Sequence, residues 1–192
     1  IPILRLFGKK VYVSVDGVEW KREKWGVIPK MIHKLGAYMC VKFANKIIVD
    51  NREVYDVYRN KFSAQATIIE YGAKFIKSSE FSGDTLTRFK LTTKEYFLFV
   101  GRFVPEKGVD KLIETYLKLK SDKPLVIIGG DTSPTDYSDK IEKYSANNEN
   151  IILTGFLYNE AYEELLSNAY LYVSASELEG TSPSLLAALG AK

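Results

Sequence analysis

The sequence predicts an α/β protein with two blocks of parallel β-sheet. Short apolar runs alternate with segments of helical period along most of the 192 residues, which is the pattern of βαβ units. Residues 77–95 break this alternation, because they are rich in Ser, Thr and charged residues and have little apolar periodicity. We therefore expect two blocks with helices on both faces of each sheet, over residues 1–75 and 96–192, joined by a linker or long loop over residues 76–95.

The first block contains three predicted strands with a helix between each pair. The strands are KKVYVSV (9–15), KIIVD (46–50) and ATIIEYG (66–72). The helices are PKMIHKLGAYMCVKFA (29–44) and REVYDVYRNKF (52–62). Pro29 suits the first turn of the former, where its missing N–H costs nothing.

The second block repeats the same alternation with four strands and four helices. The strands are YFLFVG (96–101), PLVIIGG (124–130), NIILTG (150–155) and AYLYVS (169–174). The helices are VDKLIETYLKLK (109–120), DYSDKIEKYSA (136–146), NEAYEELLSNA (159–169) and the start of another, PSLLAALGA (183–191). Open parallel sheets bind ligands beyond the carboxyl ends of their strands.

Composition excludes several classes of protein. Apolar residues make up 46% and charged residues 27%, as in ordinary globular proteins. Cys40 is the only cysteine, so no internal disulfide forms and a reducing compartment is favoured. No apolar run approaches the roughly 20 residues that span a bilayer, and no signal peptide opens the sequence. His33 is the only histidine, which excludes a serine-type triad and a His-rich metal site.

Positive charge is concentrated in the first third of the chain. Residues 1–60 carry 12 Lys and Arg against 6 Asp and Glu, whereas residues 61–192 carry 15 against 18. The basic character is densest over residues 19–36, where cations alternate with Trp20, Trp25 and Ile32. Such a segment suits the surface of an anionic membrane. The alternative is a solvated helix face with buried aromatic side chains.

Three loops that follow strands of the second block carry glycine with polar or charged residues: GRFVPEKG (101–108), GGDTSPTD (129–136) and ASELEGTSPS (175–184). In GRFVPEKG (101–108), Arg102 and Lys107 suit a diphosphate, unless they are simply surface cations beside a helix start. In ASELEGTSPS (175–184), Thr181 or Ser182 suits the N-cap of a helix that begins at Pro183.

The start of this last helix also predicts a binding site. We expect the free N–H groups of Ser184 and Leu185 to face outward as an anion site. Glu179 then suits sugar hydroxyls better than phosphate, although a carboxylate there also favours the helix dipole. Cations, a helix N-terminus and a hydroxyl-binding carboxylate together favour a nucleotide-diphosphate sugar as ligand.

These motifs resemble a known enzyme family. VGRFVPEKGVDKLI, NIILTGF and SELEGTSPSLLAALG, in this order, resemble the C-terminal domain of family 4 retaining glycosyltransferases, which have the GT-B architecture of two Rossmann-like domains. VSVDGVEWKREKWG, ANKIIVDN and IIEYGAKF resemble the rhamnosyltransferase-like subgroup. The resemblance implies an N-terminal acceptor domain and a nucleotide-sugar-binding C-terminal domain. We expect both domains to be incomplete, since a family member runs to roughly twice this length, and we expect an internal fragment with little activity alone.

The resemblance implies roles for individual residues. Arg102 and Lys107 would grip the donor diphosphate and stabilise the leaving group, and Glu179 would contact the donor sugar. Asp16 falls where many relatives have a cleft histidine near the reacting centre. The remaining expected donor contacts are Gly101, Gly180, Thr181, Ser182, Ser184 and Leu185.

One departure from the family motif bears on the donor. Ala187 stands where relatives have a second Glu that binds the ribose hydroxyls. Its absence weakens the donor site or suits a nucleotide without a 2′-OH, in line with dTDP-rhamnose. We expect a sugar transferase for polysaccharide, such as capsule, or lipid-linked glycan, without metal or other cofactor and without nucleic acid as partner. It would be cytoplasmic, at the inner membrane face; the alternative is a non-catalytic nucleotide-sugar-binding subunit.

Overall fold

A computed structural model describes residues 1–15, 17–21, 25–176 and 181–191. The chain divides into two compact units, Ile1–Gly72 and Ala73–Lys192. Within the described residues, the first unit has a parallel sheet of three strands and the second a parallel sheet of four. The predicted α/β class with two parallel sheets is confirmed. No helix in these residues is long and apolar enough to cross a membrane.

The first unit follows the predicted alternation, with one additional short helix at its start. Its elements are α1 (Pro2–Leu6), β1 (Tyr12–Val15), α2 (Val27–Phe43), β2 (Lys46–Val49), α3 (Arg52–Phe62) and β3 (Ala66–Ile68). α3 begins at the predicted residue, because Asn51 Oδ1 accepts the Val54 N–H at 2.8 Å and caps the helix.

Both long helices of the first unit pack on the same face of its sheet. Val13, Ile47 and Val49 alternate with exposed or half-buried neighbours and meet Ala37 of α2 and Tyr58 of α3 in one core cluster. The opposite face carries exposed Tyr12, Ser14 and Thr67. The expectation of helices on both faces is therefore wrong for the described part of this unit. Both connections step in the same direction across the sheet, and right-handed crossovers then place both helices on one side.

The second unit contains the remaining elements. They are α4 (Asp84–Arg88), β4 (Phe97–Val100), α5 (Val109–Leu119), β5 (Leu125–Ile128), α6 (Asp136–Ala146), β6 (Ile151–Gly155), α7 (Asn159–Asn168), β7 (Leu171–Tyr172) and α8 (Pro183–Gly190). The strands lie in the order β6-β5-β4-β7.

Two separate cores cover the two faces of this second sheet. On one face, Phe99 and Ile127 pack against Ile113 of α5 and Ile141 of α6. On the other, strand residues such as Leu98 pack against α7 and α8 in a second cluster. Helices on both faces are thus confirmed for this sheet, and the reversal of direction after β6 is what moves α7 to the opposite side.

Residues 76–95, predicted as a linker or loop, are a packed part of the second unit. Ile76 is buried at 2% exposure, and Leu86 of α4 packs against the same cluster. The buried carboxylate of Glu164 accepts the Thr85 N–H at 3.1 Å, which anchors the start of α4. The linker interpretation is wrong because the apolar residues are too few for a periodic signal but are buried by tertiary contacts. The division between the units falls at residue 72 instead.

Candidate functional site

The chain reverses direction across the second sheet between β4 and β7. From β4 the chain continues to α5 on one face, whereas from neighbouring β7 it continues to α8 on the other face. Loops that leave adjacent strands toward opposite faces open a crevice at the carboxyl ends, which is where open α/β sheets bind ligands. The loops GRFVPEKG (101–108) and ASELEGTSPS (175–184), both singled out from the sequence, follow these two strands, and Gly108 of the first lies against Ala175 of the second.

The loop between β4 and α5 is a tight structure that ends at Gly108. A 3-10 turn over Pro105–Lys107 is closed by the Gly108 N–H, which donates to the Pro105 carbonyl at 3.0 Å. Gly108 has φ +62°, and a Cβ there would lie 2.4 Å from the Ala175 carbonyl oxygen. The two loops of the crevice therefore touch backbone to backbone, which requires glycine.

Arg102 and Lys107 lie on this loop, as predicted. Arg102 is exposed, and within the described residues its guanidinium has no hydrogen-bond or ion-pair partner. Lys107 is half-buried, and its Cδ would lie 3.8 Å from a Cβ at Gly101. The Lys107 side chain thus lies beside the start of the loop, and two cations converge on the end of one strand.

The adjacent loop after β5 packs directly on the loop after β4. Gly129 has φ +137°, and a Cβ there would lie 1.9 Å from the Gly101 carbonyl oxygen. The Phe103 N–H donates to the Gly130 carbonyl, and the Gly129 N–H donates to the Gly155 carbonyl, each at 2.9 Å. The ends of β4, β5 and β6 are therefore joined through backbone groups rather than through side chains.

The Asp110 amide in the first turn of α5 is already used by the protein and is not open to an anion. The Asp110 N–H donates to Tyr137 Oη at 3.2 Å. Although desolvation opposes ionisation of Asp110, hydrogen bonds from Tyr137 and Lys140 hold the pKa of its carboxyl below the ordinary value. The helix start therefore carries a negative charge, and any phosphate at this loop depends on Arg102 and Lys107.

The start of α8 partly matches the prediction. Ser182 is the N-cap and Pro183 the first helical residue, as expected. The Leu185 N–H donates to Ser182 Oγ at 3.4 Å, so the expectation that this amide is free is wrong, because the cap uses it. Thr181 and Ser184 are half-buried beside it. Asp16, Glu179 and Gly180, also predicted for the site, lie outside the described residues.

An aromatic pair at the end of β6 was not anticipated. The rings of Phe156 and Tyr158 stack with centroids 6.5 Å apart and planes 8° from parallel, and they are 43% and 70% exposed. Phe156 also lies over Gly130, where an added Cβ would meet its ring at 3.3 Å. Single aromatic residues after a strand leave no periodic signal in a sequence, whereas the adjacent glycines 129 and 130 do mark a close backbone approach.

Cavities also lie elsewhere in the units. One of about 620 Å³ lies at the amino ends of β4 and β5, lined by Lys90, Lys120 and Lys123 among others, and Lys123 there is paired with Glu95. Another, of about 420 Å³, lies in the first unit between β1 and α2. No group of three or more potential metal ligands occurs in the parts of the chain that the structure describes.

The cavity of the first unit combines aromatic and polar groups. Trp20 and Tyr58 line it together with Glu19 and His33. Glu19 accepts a hydrogen bond from Trp25 Nε1 at 3.2 Å. The indole N–H of Trp20 is buried and has no hydrogen-bond partner in the described structure. Such a cavity offers an aromatic surface and a carboxylate, with a buried N–H donor in its wall.

Comparison with known proteins adds independent information. Residues 87–192 match the family described as Glycosyl transferases group 1, and residues 3–74 match a domain of unknown function, DUF1972. No curated protein is significantly similar to this chain.

Among solved structures, sucrose-phosphate synthase from Thermosynechococcus elongatus is 16% identical with a TM-score of 0.76, and covers 96% of this chain and 50% of its own. Anabaena Alr3699/HepE in complex with UDP and glucose is 12% identical with a TM-score of 0.75, over 96% of this chain and 52% of its own. TarM is 20% identical with a TM-score of 0.71, over 95% and 35%. These likenesses show a shared fold, and the chain spans about a third to a half of each protein's length.

We expect Gly129→Ala to destabilise the second unit more than Gly155→Ala. Both positions have positive φ, which costs an alanine about 1–3 kcal/mol, but only residue 129 adds a clash with a backbone carbonyl. Denaturant unfolding of both variants measures the difference directly. Equal losses of unfolding free energy would contradict the close approach of the loops after β4 and β5.

Proposed function

The chain belongs to the group 1 family of glycosyl transferases, and from this we propose that it takes part in transferring a sugar from a nucleoside-diphosphate donor to a polysaccharide or lipid-linked glycan, with retention of configuration. The donor-binding part of the reaction is assigned to the second unit, and the acceptor-binding part to the first. Retention is decided by the anomeric configuration of the isolated product, read by NMR. An inverted product would exclude it.

The observation that carries the proposal is the position of two cations, Arg102 and Lys107, on the loop at the carboxyl end of β4, beside the switch point. Arg102 has a guanidinium without a partner in the described residues, and it lies on the same eight-residue loop as Lys107. A guanidinium binds two phosphate oxygens at once, and an ammonium adds a point charge. When the glycosidic bond of the donor breaks, negative charge grows on the leaving diphosphate, and fixed cations stabilise that charge.

We assign the other parts of the donor to the same crevice. Ala175, which follows β7 toward α8, touches the cation-bearing loop at Gly108. On the resemblance of EGTSPSLL to the family motif, we assign Glu179 to the donor sugar and Asp16 to the reacting region. The exposed Phe156–Tyr158 pair offers a stacking surface to a nucleobase.

We further propose a deoxythymidine diphosphate donor, with rhamnose as the sugar. Ala187 packs against the core cluster beneath α8 and provides no carboxylate for a ribose 2′-hydroxyl. A nucleotide without that hydroxyl loses nothing at such a position. Rhamnose rests on the resemblance of the first block to the rhamnosyltransferase-like subgroup. Alr3699/HepE, which shares the fold, was crystallised with UDP. UDP is therefore the competing nucleotide to test.

The cavity of the first unit is our candidate for binding part of the acceptor. Its aromatic wall and its polar groups, Glu19 and His33, suit a sugar ring, which has apolar faces and hydroxyl edges. The unpartnered Trp20 N–H would donate to one hydroxyl.

Trp20→Phe removes that donor and keeps an aromatic ring. A raised KM for acceptor with an unchanged KM for donor would support this assignment, and an unchanged KM for acceptor would overturn it.

A second candidate function is a nucleotide-sugar-binding subunit without catalysis. Ala187, in place of the expected Glu, is the observation that favours it. The two functions separate in one assay of the whole protein with labelled donor. Turnover excludes the binding subunit, whereas sugar-dependent affinity without turnover excludes the enzyme.

We propose that α2 brings the protein to the cytoplasmic face of an anionic membrane. Six of its apolar side chains are exposed over 48–75% of their surface: Val27, Ile28, Met31, Ile32, Leu35 and Tyr38. They recur at helical spacing and form one side of α2. Lys34 and Lys42 are exposed on the same helix, and residues 1–60 carry the excess of basic residues. An apolar helix face with cations fits anionic lipid.

We expect Arg102→Ala to weaken binding of a nucleoside diphosphate by about 10–100-fold, the cost of charge-assisted hydrogen bonds. Calorimetric titration with dTDP, UDP and GDP measures the loss and identifies the preferred base. Arg88→Ala is the matched control, because Arg88 is also exposed but lies on α4. Equal binding by wild type and Arg102→Ala would contradict the diphosphate site, and tighter binding of UDP than dTDP would contradict the deoxythymidine donor.

Vesicle cosedimentation tests the membrane proposal. We expect binding to vesicles that contain phosphatidylglycerol but not to pure phosphatidylcholine. Ile32→Ser should weaken binding at least about tenfold, since burying an Ile side chain contributes about 1.5–3 kcal/mol. Ile69→Ser is the control, because Ile69 is similarly exposed (57% against 63%) but lies beyond β3. Equal effects of the two variants, or no vesicle binding by wild type, would overturn the proposal.

A further inference from the structure

Two tyrosine–carboxylate hydrogen bonds join α6 to α5. Tyr137 Oη donates to Asp110 Oδ1, and Tyr144 Oη donates to Glu114 Oε1, each at 2.8 Å. Lys140 lies between them, with Nζ 3.0 Å from Asp110 Oδ2 and 3.3 Å from Glu114 Oε1. The carboxylates are four residues apart on α5 and the tyrosines seven apart on α6, so each set lies along one face of its helix.

The two tyrosine–carboxylate hydrogen bonds differ in one respect. Tyr137 Oη also accepts the backbone N–H of Asp110 at 3.2 Å. Asp110 is the second residue of α5, where no carbonyl within the helix can accept its N–H. Tyr137 therefore holds the first turn of α5 by its backbone. Tyr144 meets α5 one turn later, through the side chain of Glu114.

The first turn of α5 continues directly into the cation-bearing loop. Val109 is fully buried, and Gly108 touches the Ala175 carbonyl across the switch point. Lys107 is the residue before Gly108, and its N–H donates to the Val104 carbonyl at 2.9 Å. A displacement of the Asp110 amide would therefore be transmitted through two residues to Lys107.

We propose that Tyr137 is a positioning residue for Lys107. Its hydroxyl fixes the start of α5 and, through it, the end of the loop that grips the donor diphosphate. This inference rests on the proposed function, in which that loop binds the diphosphate. It assigns to a residue on α6, outside the motifs that marked the site in the sequence, a share in holding the phosphate group.

The protonation states of Tyr137 and Asp110 maintain their hydrogen bond near neutral pH. Burial, reinforced by the neighbouring Asp110 carboxylate, raises the pKa of Tyr137 to about 12, so the hydroxyl remains a donor near neutral pH. The lowered pKa of Asp110 keeps its carboxylate an acceptor. A carboxyl group whose pKa is lowered by folding stabilises the folded state at pH values above its pKa in the unfolded chain. For Asp110, this contribution is lost only as the pH falls through the pKa of the folded state, below about 4.

The matched variants Tyr137→Phe and Tyr144→Phe test the proposal. Each removes one hydroxyl that binds one carboxylate and keeps the ring. Titrations with dTDP and with thymidine separate the phosphate contribution from that of the base. We expect Tyr137→Phe to weaken dTDP binding about 3–10-fold, the size of one hydrogen bond, without changing thymidine binding. Tyr144→Phe should change neither, at a similar melting temperature.

The outcomes distinguish failure of this inference from failure of the proposed function. Equal loss of dTDP affinity in both variants, or parallel losses for dTDP and thymidine, would overturn the positioning role. If wild type binds no nucleoside diphosphate, the proposed function fails, and hydrogen exchange of residues 104–112 still decides the structural claim. Faster exchange in Tyr137→Phe than in Tyr144→Phe supports it, and equal exchange overturns it.

Discussion

The carbonyl oxygen of Gly101 occupies the place that a side chain at residue 129 would need, since a Cβ there would lie 1.9 Å away. This contact brings the loops after β4 and β5 together, and the contact of Gly108 with Ala175 does the same across the switch point. Because these are backbone contacts between strand ends, they fix the positions of the loops independently of surface side chains. The distances from Arg102 and Lys107 to the other parts of the crevice therefore depend on these backbone contacts.

The charge at the start of α5 distinguishes this loop from many other anion-binding sites at helix starts. The amide of Asp110 is used by Tyr137, and the carboxylate of Asp110 adds negative charge at the first turn of α5. A phosphate near this turn would not bind that amide, and in our proposal the cationic side chains hold it instead. This explains why the loop combines an exposed arginine with a lysine that lies close to its backbone.

Local features were predictable from the sequence, whereas features set by tertiary contacts were not. The Asn51 and Ser182 caps and the period of α3 are local, so these helix starts were found at the correct residues. The packing of residues 76–95 depends on distant partners such as Glu164, and no local pattern indicates it. The expectation of a free Leu185 amide is wrong because the N-cap that the sequence indicates, Ser182, itself accepts that N–H. Tyr137 was missed because its partner, Asp110, is 27 residues away.

The position of the site is the central claim, and the amino edge of the same sheet offers a competing cavity of about 620 Å³ with three lysines. Backbone NMR of the 192-residue chain during titration with dTDP distinguishes the two edges. We predict amide shifts at residues 101–108, 129–135 and 155–158, at the carboxyl ends of β4, β5 and β6, and at residues 181–185, where α8 begins on the β7 side of the crevice. Shifts centred instead on Lys90, Lys120 and Lys123 would contradict the assignment of the crevice between β4 and β7 as the donor site.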